Sequence, residues 1–532
     1  MKDFIKKAER FVPICLFIGF IIIGLLVYDD YGISWDEPQE RLSSLVTYRW
    51  LNRTFLNRGV FVNEGTEDLP GYYDRFYGVT VPLPLMFFED VYQLIRHEPM
   101  TYAQIYHMRH LYCYFLFLFA LFCFYEMLKD LFNSSGLAIS GVLMVYCFGR
   151  FFAESFYNIK DIVFASLTMI SLFCAEKAFK TRYSVKWCLL FALASAFLVN
   201  IRFVGGIFPL GMLLIILIES LLTHTKLPIK PILLICCSLP FWVIITPASW
   251  SAPVEFAIGV INRFAYNDEW TSTQLFAGKM IAPEEIPSDF YLRWIGITVP
   301  LVYLFFSLCG LFSFGKALIK GAVENVSMKV YLLMGSILLG TLFYQMIRRP
   351  PVYNGWRHIY FLYPLIIAFA VWGFQAIRST QIIPAGKMIA AALLAAGLFY
   401  NSVQIITNHP FEYGALNPIG ERIGADYDGD YWGLSFFTVL RWVARNTEER
   451  TTVNINSNRR IILSNFQMLS EAEREKVSIP TVDTDYIIVW EGIPLNHLRY
   501  DFEGYEKIKT FSAYGQEMTQ IFYRPKNTDT GD

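Results

Sequence analysis

About eleven apolar stretches, each of roughly twenty residues, run through the first 405 residues of this 532-residue chain. A helix of about twenty apolar residues spans the hydrocarbon core of a bilayer and satisfies its own backbone hydrogen bonds there. The composition agrees, since 55% of the residues are hydrophobic and only 17% are charged. The sequence therefore predicts a polytopic α-helical membrane protein. Its predicted spans lie near residues 11–28, 109–128, 136–153, 161–178, 187–204, 205–222, 231–247, 292–314, 328–346, 359–376 and 387–405.

Positive charges lie in alternate connections between these spans. They collect in the N-terminal segment and after every second span, as in "KTRYSVK" at 180–186 and "KALIK" at 316–320. Short cytoplasmic loops are enriched in Lys and Arg. We therefore expect a cytoplasmic N-terminus, whose first apolar stretch is retained as a helix, and a C-terminus on the periplasmic or extracellular side.

Three longer segments then fall on the outer side. Residues 29–107 contain two amphipathic stretches that predict helices lying at the interface, and residues 248–291 form a second large loop. From about residue 406 the pattern changes: "SFFTVLRWVARN" predicts a helix, "DTDYIIVW" a buried strand, and "YEKIKTFSAY" with "EMTQIFYRP" a hairpin. We expect a transmembrane domain at 1–405 and a small extracytoplasmic α/β domain at 406–532.

Some functional classes are excluded at this stage. A net charge of -1 supplies no basic surface for nucleic acid. All nine cysteines lie in apolar segments, so the spacing shows neither a disulfide framework nor a cysteine metal site. No internal repeat is visible, which weakens the case for a transporter built from duplicated halves.

The outer loop "RRPPVYNGWRH" breaks the charge rule. It carries Arg348, Arg349, Arg357 and His358 on the face where short loops avoid positive charge. Contacts with lipid head groups or salt bridges would explain these cations. A binding site for an anion would also explain them, because the planar guanidinium of Arg donates two parallel hydrogen bonds to phosphate oxygens. Both readings remain open from the loop alone.

The turn "ESFYNIKDIVFASL" and its neighbourhood add further charge. It places Asn158, Lys160 and Asp161 between the third and fourth spans. Asp161 is also a reasonable N-cap for the fourth helix. Arg202, at the outer end of another span, is explained equally well by a side chain that reaches to the interface.

The stretch "ISWDEPQE" puts Asp36 and Glu37 directly after the first span. A turn accounts for the pair, because Pro38 disfavours helix at Glu37 and is well placed to begin the next helix. Helix ends on one face come together in a bundle, however, so these acids and the basic loop can share a site. One carboxylate would then act as a base on a hydroxyl while the cations stabilise a departing phosphate.

Several motifs, in this order, resemble the GT-C glycosyltransferases. They are "SWDEP", "YNIKDIVFA", "TPASW", "YNGWRHIYFLYPL", "HPFEYGALNPIG" and "DYDGDYWGLS". More narrowly, the chain is similar to the bacterial branch of the family 39 type, which is related to protein O-mannosyltransferases and to aminoarabinose transferases that modify lipid A. The resemblance implies an enzyme of the bacterial inner membrane. It also implies a polyprenyl-phosphate-linked sugar as donor, usually on undecaprenyl phosphate, and transfer on the outer face.

The resemblance also implies roles for individual residues. Asp36 corresponds to the catalytic base, Glu37 to a helper that orients the base or the acceptor, and Asp161 to a second catalytic acid. The resemblance places Lys160, Arg357 and His358 near the donor phosphate. Arg202, Arg348 and Arg349 are further expected phosphate-binding residues because they are cations on the same outer face, and the expected substrate-binding residues are Asn158, Tyr353 and Trp356. This chain departs from the family at Asn354, where relatives often carry Asp, so no role is assigned to Asn354.

The expected reaction inverts the anomeric carbon and transfers the sugar to a hydroxyl of a glycolipid, polysaccharide or protein. We expect no metal site and no required cofactor, although a divalent cation held by Asp36 and Asp161 stays open. Membrane lipids are expected partners, and nucleic acid is not. The turn with Asp426, Asp428 and Asp430 is interpreted as a cap for the helix that begins near Leu434. Two alternatives remain: a transporter or flippase of lipid-linked sugars, and a non-catalytic scaffold.

Overall fold

The structure is a computed structural model. It describes residues 2–56, 68–265, 272–320, 325–352, 354–379, 385–456, 459–480 and 484–525. Tyr353, one of the residues expected to bind substrate, lies outside these ranges.

Seventeen of the described helices precede the C-terminal region. They are α1 (Lys2–Val27), α2 (Glu37–Leu51), α3 (Leu83–Arg96), α4 (Tyr102–Phe132), α5 (Ser135–Tyr146), α6 (Gly149–Tyr157), α7 (Asp161–Lys180), α8 (Val185–Ile201), α9 (Ile207–Leu222), α10 (Ile229–Cys236), α11 (Ser238–Ile245), α12 (Pro253–Ala265), α13 (Phe290–Thr298), α14 (Leu301–Ile319), α15 (Val326–Arg348), α16 (Leu362–Ser379) and α17 (Gly386–Asn408). Two short strands, β1 (Gln274–Phe276) and β2 (Lys279–Ile281), pair antiparallel. The long helix α4 begins with a capping box, in which Thr101 and Gln104 satisfy each other's backbone N–H groups.

Seven of the described helical segments are long and apolar enough to cross a membrane: α4, α7, the segment Phe203–Leu222 that contains α9, α14, α15, α16 and α17. A bent pair, α5 with α6, adds an eighth candidate, and Phe11–Val27, Val185–Ile201 and Ile229–Ile245 are shorter apolar helices. Together they match the eleven predicted stretches. The predicted fold class, a polytopic helical membrane protein with a C-terminal region that contains a β-sheet, is confirmed.

Two predicted spans differ in shape from the expectation. The stretch 136–153 is broken at Cys147–Phe148, where α5 and α6 meet at 69°. The span expected at 292–314 divides into α13 and α14, because Pro300 disfavours helix at Val299, which is extended. Both breaks lie on the face of the bundle that also carries the long connections, and this face is called the loop face below.

Helices α14 and α16 pack closely through a pair of glycines. A Cβ atom on Gly310 would lie 1.9 Å from the carbonyl oxygen of Phe369, and one on Gly373 would lie 1.9 Å from that of Phe306. Only glycine permits this approach, which is typical of helix contacts in membranes, where close packing replaces the hydrophobic driving force.

The C-terminal region is an α/β unit. Its elements are α18 (Gly420–Ile423), α19 (Ser435–Asn446), β3 (Thr451–Ile455), α20 (Arg459–Gln467), α21 (Glu471–Lys476), β4 (Val477–Ser478), β5 (Tyr486–Val489), β6 (Glu506–Ala513) and β7 (Gln516–Tyr523). The sheet has the order β4-β3-β5-β7-β6, with β3 parallel to β4 and β5, and β7 antiparallel to β5 and β6. The predicted helix, strand and hairpin are confirmed, whereas β3, β4, α20 and α21 were not anticipated.

Candidate functional site

Four segments that are far apart in the sequence bring charged side chains together on the loop face. Asp36 immediately precedes α2, and Lys160 and Asp161 lie where α7 begins. Arg202 follows the last residue of α8, and Arg357 begins a single 3-10 turn just before α16. Helix termini therefore supply every member, which is why the charges avoid the apolar middle of the bundle.

Three cations and three carboxylates form pairs in this group, called the charge cluster. Arg357 Nη1 lies 2.9 Å from Asp36 Oδ2 and 3.8 Å from Asp161 Oδ2. Arg202 donates a hydrogen bond to Asp161. Lys160 pairs with Glu40, the sixth member of the cluster. The Arg357 guanidinium thus sits between the two carboxylates that the sequence suggested as ligands for a divalent cation.

Exposure separates the three carboxylates. The Asp36 side chain is 39% exposed, whereas those of Glu40 and Asp161 are 5% and 1% exposed. Among the cations, Lys160 and Arg202 keep 20% and 25% of their side chains exposed. A molecule that arrives from outside can therefore touch the Asp36 carboxylate, and it can also reach two of the three cations.

The electrostatics keep the reactive groups charged. Burial raises the pKa of Asp36, but the positive charges of Arg357 and Lys160 outweigh it, so this pKa lies below its ordinary value. Burial lowers the pKa of Lys160, yet the carboxylates of Glu40 and Asp36 bring it above its ordinary value. Asp36 is consequently an ionised base at neutral pH.

Glu40 has the opposite tendency. Burial raises its pKa, and this effect exceeds the opposing influence of Lys160. Glu40 was not among the site residues predicted from the sequence. Its spacing could have indicated it, because a residue four positions after Asp36 lies on the same face of the helix that Asp36 precedes.

Aromatic rings support the cations. The Arg357 guanidinium lies 4.7 Å from the ring centre of Trp432 and 5.9 Å from that of Tyr431, and the Lys160 ammonium lies 4.2 Å above the Tyr77 ring. Such contacts stabilise a cation without consuming its hydrogen-bond donors. Trp432 and Tyr431 belong to the motif "DYDGDYWGLS", so the C-terminal region takes part in the site.

Asn158 orients Asp161. Its amide nitrogen donates to Asp161 Oδ2 at 3.2 Å and to Glu154 Oε2 at 2.6 Å. Its side-chain oxygen accepts from the Asp161 N–H at 2.8 Å. Asn158 therefore holds the start of α7, and the Asp161 carboxylate is contacted by Asn158 as well as by Arg202 and Arg357.

Glu37 lies beside the charge cluster and is engaged elsewhere. One of its oxygens accepts from the N–H and hydroxyl of Ser34, at 2.7 and 3.0 Å. The other lies 3.0 Å from Nε2 of His110, which is fully buried on α4. These contacts fix the turn that carries Asp36, and the side chain points away from its neighbour.

The other residues that were expected to bind phosphate or substrate differ in how far they are buried. His358 is half-buried, and burial together with Arg202 and Arg357 lowers its pKa well below the ordinary value, so its imidazole is neutral. Trp356 is buried against Phe148 and Tyr360. Arg348 and Arg349 are exposed at the end of α15, and no contact joins them to the cluster within the described ranges.

The acidic turn after α17 is a helix cap. Asp430 accepts hydrogen bonds from the N–H groups of Gly433, Leu434 and Ser435 at 3.0–3.2 Å, as the sequence predicted. Asp428 accepts from the Leu275 N–H at 2.9 Å and is buried. In the part of the chain that is described, no group of three or more His, Cys, Asp or Glu side chains is arranged to hold a metal ion.

An apolar cavity of about 800 Å³ lies among α2, α3, α4, α7 and α8. Its wall includes Leu167, two turns along α7 from Asp161, and Phe197, just over one turn before Arg202 on α8. Thr80 also lines it, and the Thr80 N–H donates to the side chain of Asn200 at 3.3 Å. The other lining residues are Tyr48, Leu51, Asn52, Phe55, Val81, Leu83, Pro84, Phe87, Tyr112 and Leu116.

Comparisons with known proteins give structural similarities only. No family model matches the chain, and no curated protein matches it by sequence. A crystal structure of ArnT from Cupriavidus metallidurans in the apo state is 10% identical, covers 97% of this chain and 98% of its own, and has a TM-score of 0.49. A crystal structure of the same ArnT bound to undecaprenyl phosphate is also 10% identical, covers 96% of this chain and 98% of its own, and has a TM-score of 0.47.

A crystal structure of the oligosaccharyltransferase from Archaeoglobus fulgidus, in complex with Zn and sulfate, is also similar. It is 10% identical, covers 88% of this chain and 67% of its own, and has a TM-score of 0.43. These similarities concern the path of the chain alone, and no activity is carried over from them.

Proposed function

We propose that this chain is a membrane glycosyltransferase of the GT-C type. It moves a monosaccharide from a polyprenyl phosphate to a hydroxyl of an acceptor on the extracytoplasmic side, which is a glycolipid, a polysaccharide or a protein. One observation carries this proposal: a partly exposed, ionised carboxylate, Asp36, shares a cluster with three cations on the loop face. The ordered sequence motifs support the same assignment.

Asp36 is the proposed base. Its carboxylate accepts the proton of the acceptor hydroxyl as that oxygen forms a bond to the anomeric carbon. The bond from the anomeric carbon to the phosphate oxygen breaks at the same time, and its electron pair leaves with the phosphate. Attack opposite the leaving group inverts the anomeric carbon, and the proton remains on Asp36 until solvent removes it.

Lys160, Arg202 and Arg357 are proposed to hold the phosphate. Each of these cations forms an ion pair with a carboxylate in the structure. The phosphate would therefore bind to cations whose positions are already fixed by these ion pairs. Negative charge grows on the phosphate as the sugar leaves, and fixed cations stabilise that charge without reorganising. No protonation of the leaving group is needed.

The apolar cavity is proposed to receive the first isoprene units of the lipid. Its walls are almost wholly apolar, and Leu167 and Phe197 come from the two helices whose loop-face ends carry Asp161 and Arg202. A lipid chain in this cavity would leave its phosphate on the side of the charge cluster. Transport is the competing interpretation of the sequence.

Asp36→Asn tests the proposal. The substitution keeps the shape and removes the base, so turnover should fall about 10²- to 10⁴-fold while the protein stays folded. The assay incubates the purified protein with lipid-linked sugars and acceptor material, both extracted from its source membranes, and measures free polyprenyl phosphate by mass spectrometry. Asp501→Asn, at an exposed position of the C-terminal region, is the matched control. Full activity of Asp36→Asn would exclude Asp36 as base, and lipid-linked sugar crossing proteoliposomes without covalent product would favour transport.

A further inference from the structure

The backbone just before Asp36 is held by one side chain from the C-terminal region. Asn465, on α20, accepts a hydrogen bond from the Ile33 N–H at 2.8 Å and donates one to the Ile33 carbonyl at 3.0 Å. Both residues are fully buried, and 432 positions separate them in the sequence. A side-chain amide that bonds both backbone groups of one residue fixes its position and its rotation, as a neighbouring strand would.

The neighbouring residue shows how tight this contact is. A Cβ atom on Gly32 would lie 2.2 Å from Asn465 Oδ1 and 2.5 Å from the Cβ atom of Phe437 on α19. Glycine is needed here for close approach of the loop to the C-terminal region. A second backbone hydrogen bond joins this loop to the C-terminal region, because the Trp35 N–H donates to the Trp432 carbonyl at 3.3 Å.

The same loop is anchored at its beginning. Asp30 lies 3.1 Å from Nε2 of His409 and 3.6 Å from Nη1 of Arg441, and the Tyr31 hydroxyl donates to Glu412 at 3.2 Å. All three partners follow the last span. The segment that ends in Asp36 is therefore shaped mainly by residues of the C-terminal region and of the turn that leads into it.

We propose that Asn465 is a positioning residue for Asp36, so that the C-terminal region sets the place of the catalytic base. This inference rests on the proposed glycosyl transfer, and it gives that region a role in the chemical step that is separate from recognition of an acceptor. A displacement of about 1 Å in a reacting group costs up to about 100-fold in rate, so the backbone of Ile33 is a sensitive point.

Two substitutions on opposite sides of the contact test this. Asn465→Ala removes both hydrogen bonds. Gly32→Ala leaves Asn465 unmutated and forces the loop away from it, because the added Cβ would collide with Asn465 Oδ1. Each should lower turnover with lipid-linked sugars by about 10- to 100-fold and leave the Kd for undecaprenyl phosphate within about threefold. Since both act through one contact, the double variant should be little worse than either single variant. Asn465→Asp keeps the acceptor and loses the donor, so its turnover should be intermediate.

Hydrogen–deuterium exchange of residues 31–36 gives a readout that needs no activity. Exchange should accelerate in Asn465→Ala and Gly32→Ala, and it should be unchanged in two matched controls: Asn446→Ala, at an exposed position, and Gly71→Ala, whose added Cβ meets nothing within 4 Å.

If Asn465→Ala does not fold, Gly32→Ala decides alone. Unchanged exchange overturns the inference, and so does accelerated exchange with turnover within about twofold of the unmodified protein. If Asp36→Asn retains full activity, the proposed function fails independently of these exchange rates.

Discussion

At the scale of single residues, the site depends on the balance between burial and neighbouring charge. Arg357 contacts two carboxylates, the partly exposed Asp36 and the buried Asp161, and its charge opposes the effect of burial on the pKa of Asp36. An Arg is suited to this because its fork offers several donors and stays charged at any physiological pH. The same balance decides how the reaction responds to acid.

The acid side of the pH–rate profile should reveal this balance. The pKa of Asp36 is lowered, so the base stays ionised and turnover should be flat from pH 8 down to about pH 5, above the ordinary pKa of an Asp. In Lys160→Gln one favourable charge is lost while the burial remains, so the pKa of Asp36 rises and the decline in rate moves to higher pH. Turnover measured from pH 4 to 8 checks this, with Lys226→Gln, an exposed lysine on the opposite face, as control. A decline at the same pH in both variants would contradict it.

At the scale of elements, α7 and α8 do two things at once. Their ends on the loop face supply Asp161 and Arg202, and their next turns supply Leu167 and Phe197 to the apolar cavity. Because a helix is rigid over two turns, the distance from the charge cluster to the cavity is fixed by the fold. A ligand with a charged head and an apolar chain matches this spacing.

Filling the cavity should therefore weaken binding of the lipid without affecting the chemistry. Leu116→Trp, on the cavity wall formed by α4, should raise the KM for a donor with a full-length polyprenyl chain by about tenfold and leave kcat within about threefold, because the lost contacts are uniform binding. A short donor analogue with a methyl group in place of the polyprenyl chain should be much less affected, because it places no isoprene unit in the cavity. Phe119→Trp, on the exposed face of α4, is the control. Equal effects on long and short donors would argue against this use of the cavity.

The sequence was most informative where membrane physics forbids a residue. Arg357 was selected because a cation in a short outer loop breaks the charge rule for a membrane protein. Asp36 was selected from its place in the ordered motifs and beside that basic loop, since a turn alone accounts for an acid there. Glu40 and Trp432 were missed because an acid on an amphipathic helix and an aromatic in a soluble-looking region are ordinary. The break at Phe148 was not predicted, because the stretch 136–153 is apolar over most of its length. The contact of Glu37 with His110 was not predictable either, because 73 residues separate them.

At the scale of the whole molecule, the charge cluster, the long connections and the C-terminal region share one face of the helical bundle. An ion pair between Asp30 and His409 joins the loop after α1 to the turn after α17, and so the first and last apolar helices are tied together on that face. The short connections 181–184 and 223–228 lie at the opposite ends of the helices. Because short cytoplasmic loops are enriched in Lys and Arg, we expect that opposite face to be cytoplasmic.

Cysteine labelling checks this orientation. A membrane-impermeant maleimide should label Glu503→Cys, in an exposed part of the C-terminal region, in intact cells. It should label Lys226→Cys, in the exposed connection between α9 and α10, only after the membrane is permeabilised. The unmodified chain gives the background from its own cysteines. The reverse pattern would place the charge cluster in the cytoplasm and would exclude an extracytoplasmic acceptor.

The pairing of three cations with three carboxylates has a consequence for the end of the proposed cycle. A sugar-linked phosphate diester carries one negative charge, whereas the monoester left after transfer carries about 1.5 to 2 at neutral pH. The residues that favour departure of the sugar therefore hold the spent lipid more tightly than the incoming one. If the proposed function holds, we expect release of polyprenyl phosphate to be the slow step, and we expect added polyprenyl phosphate to inhibit turnover.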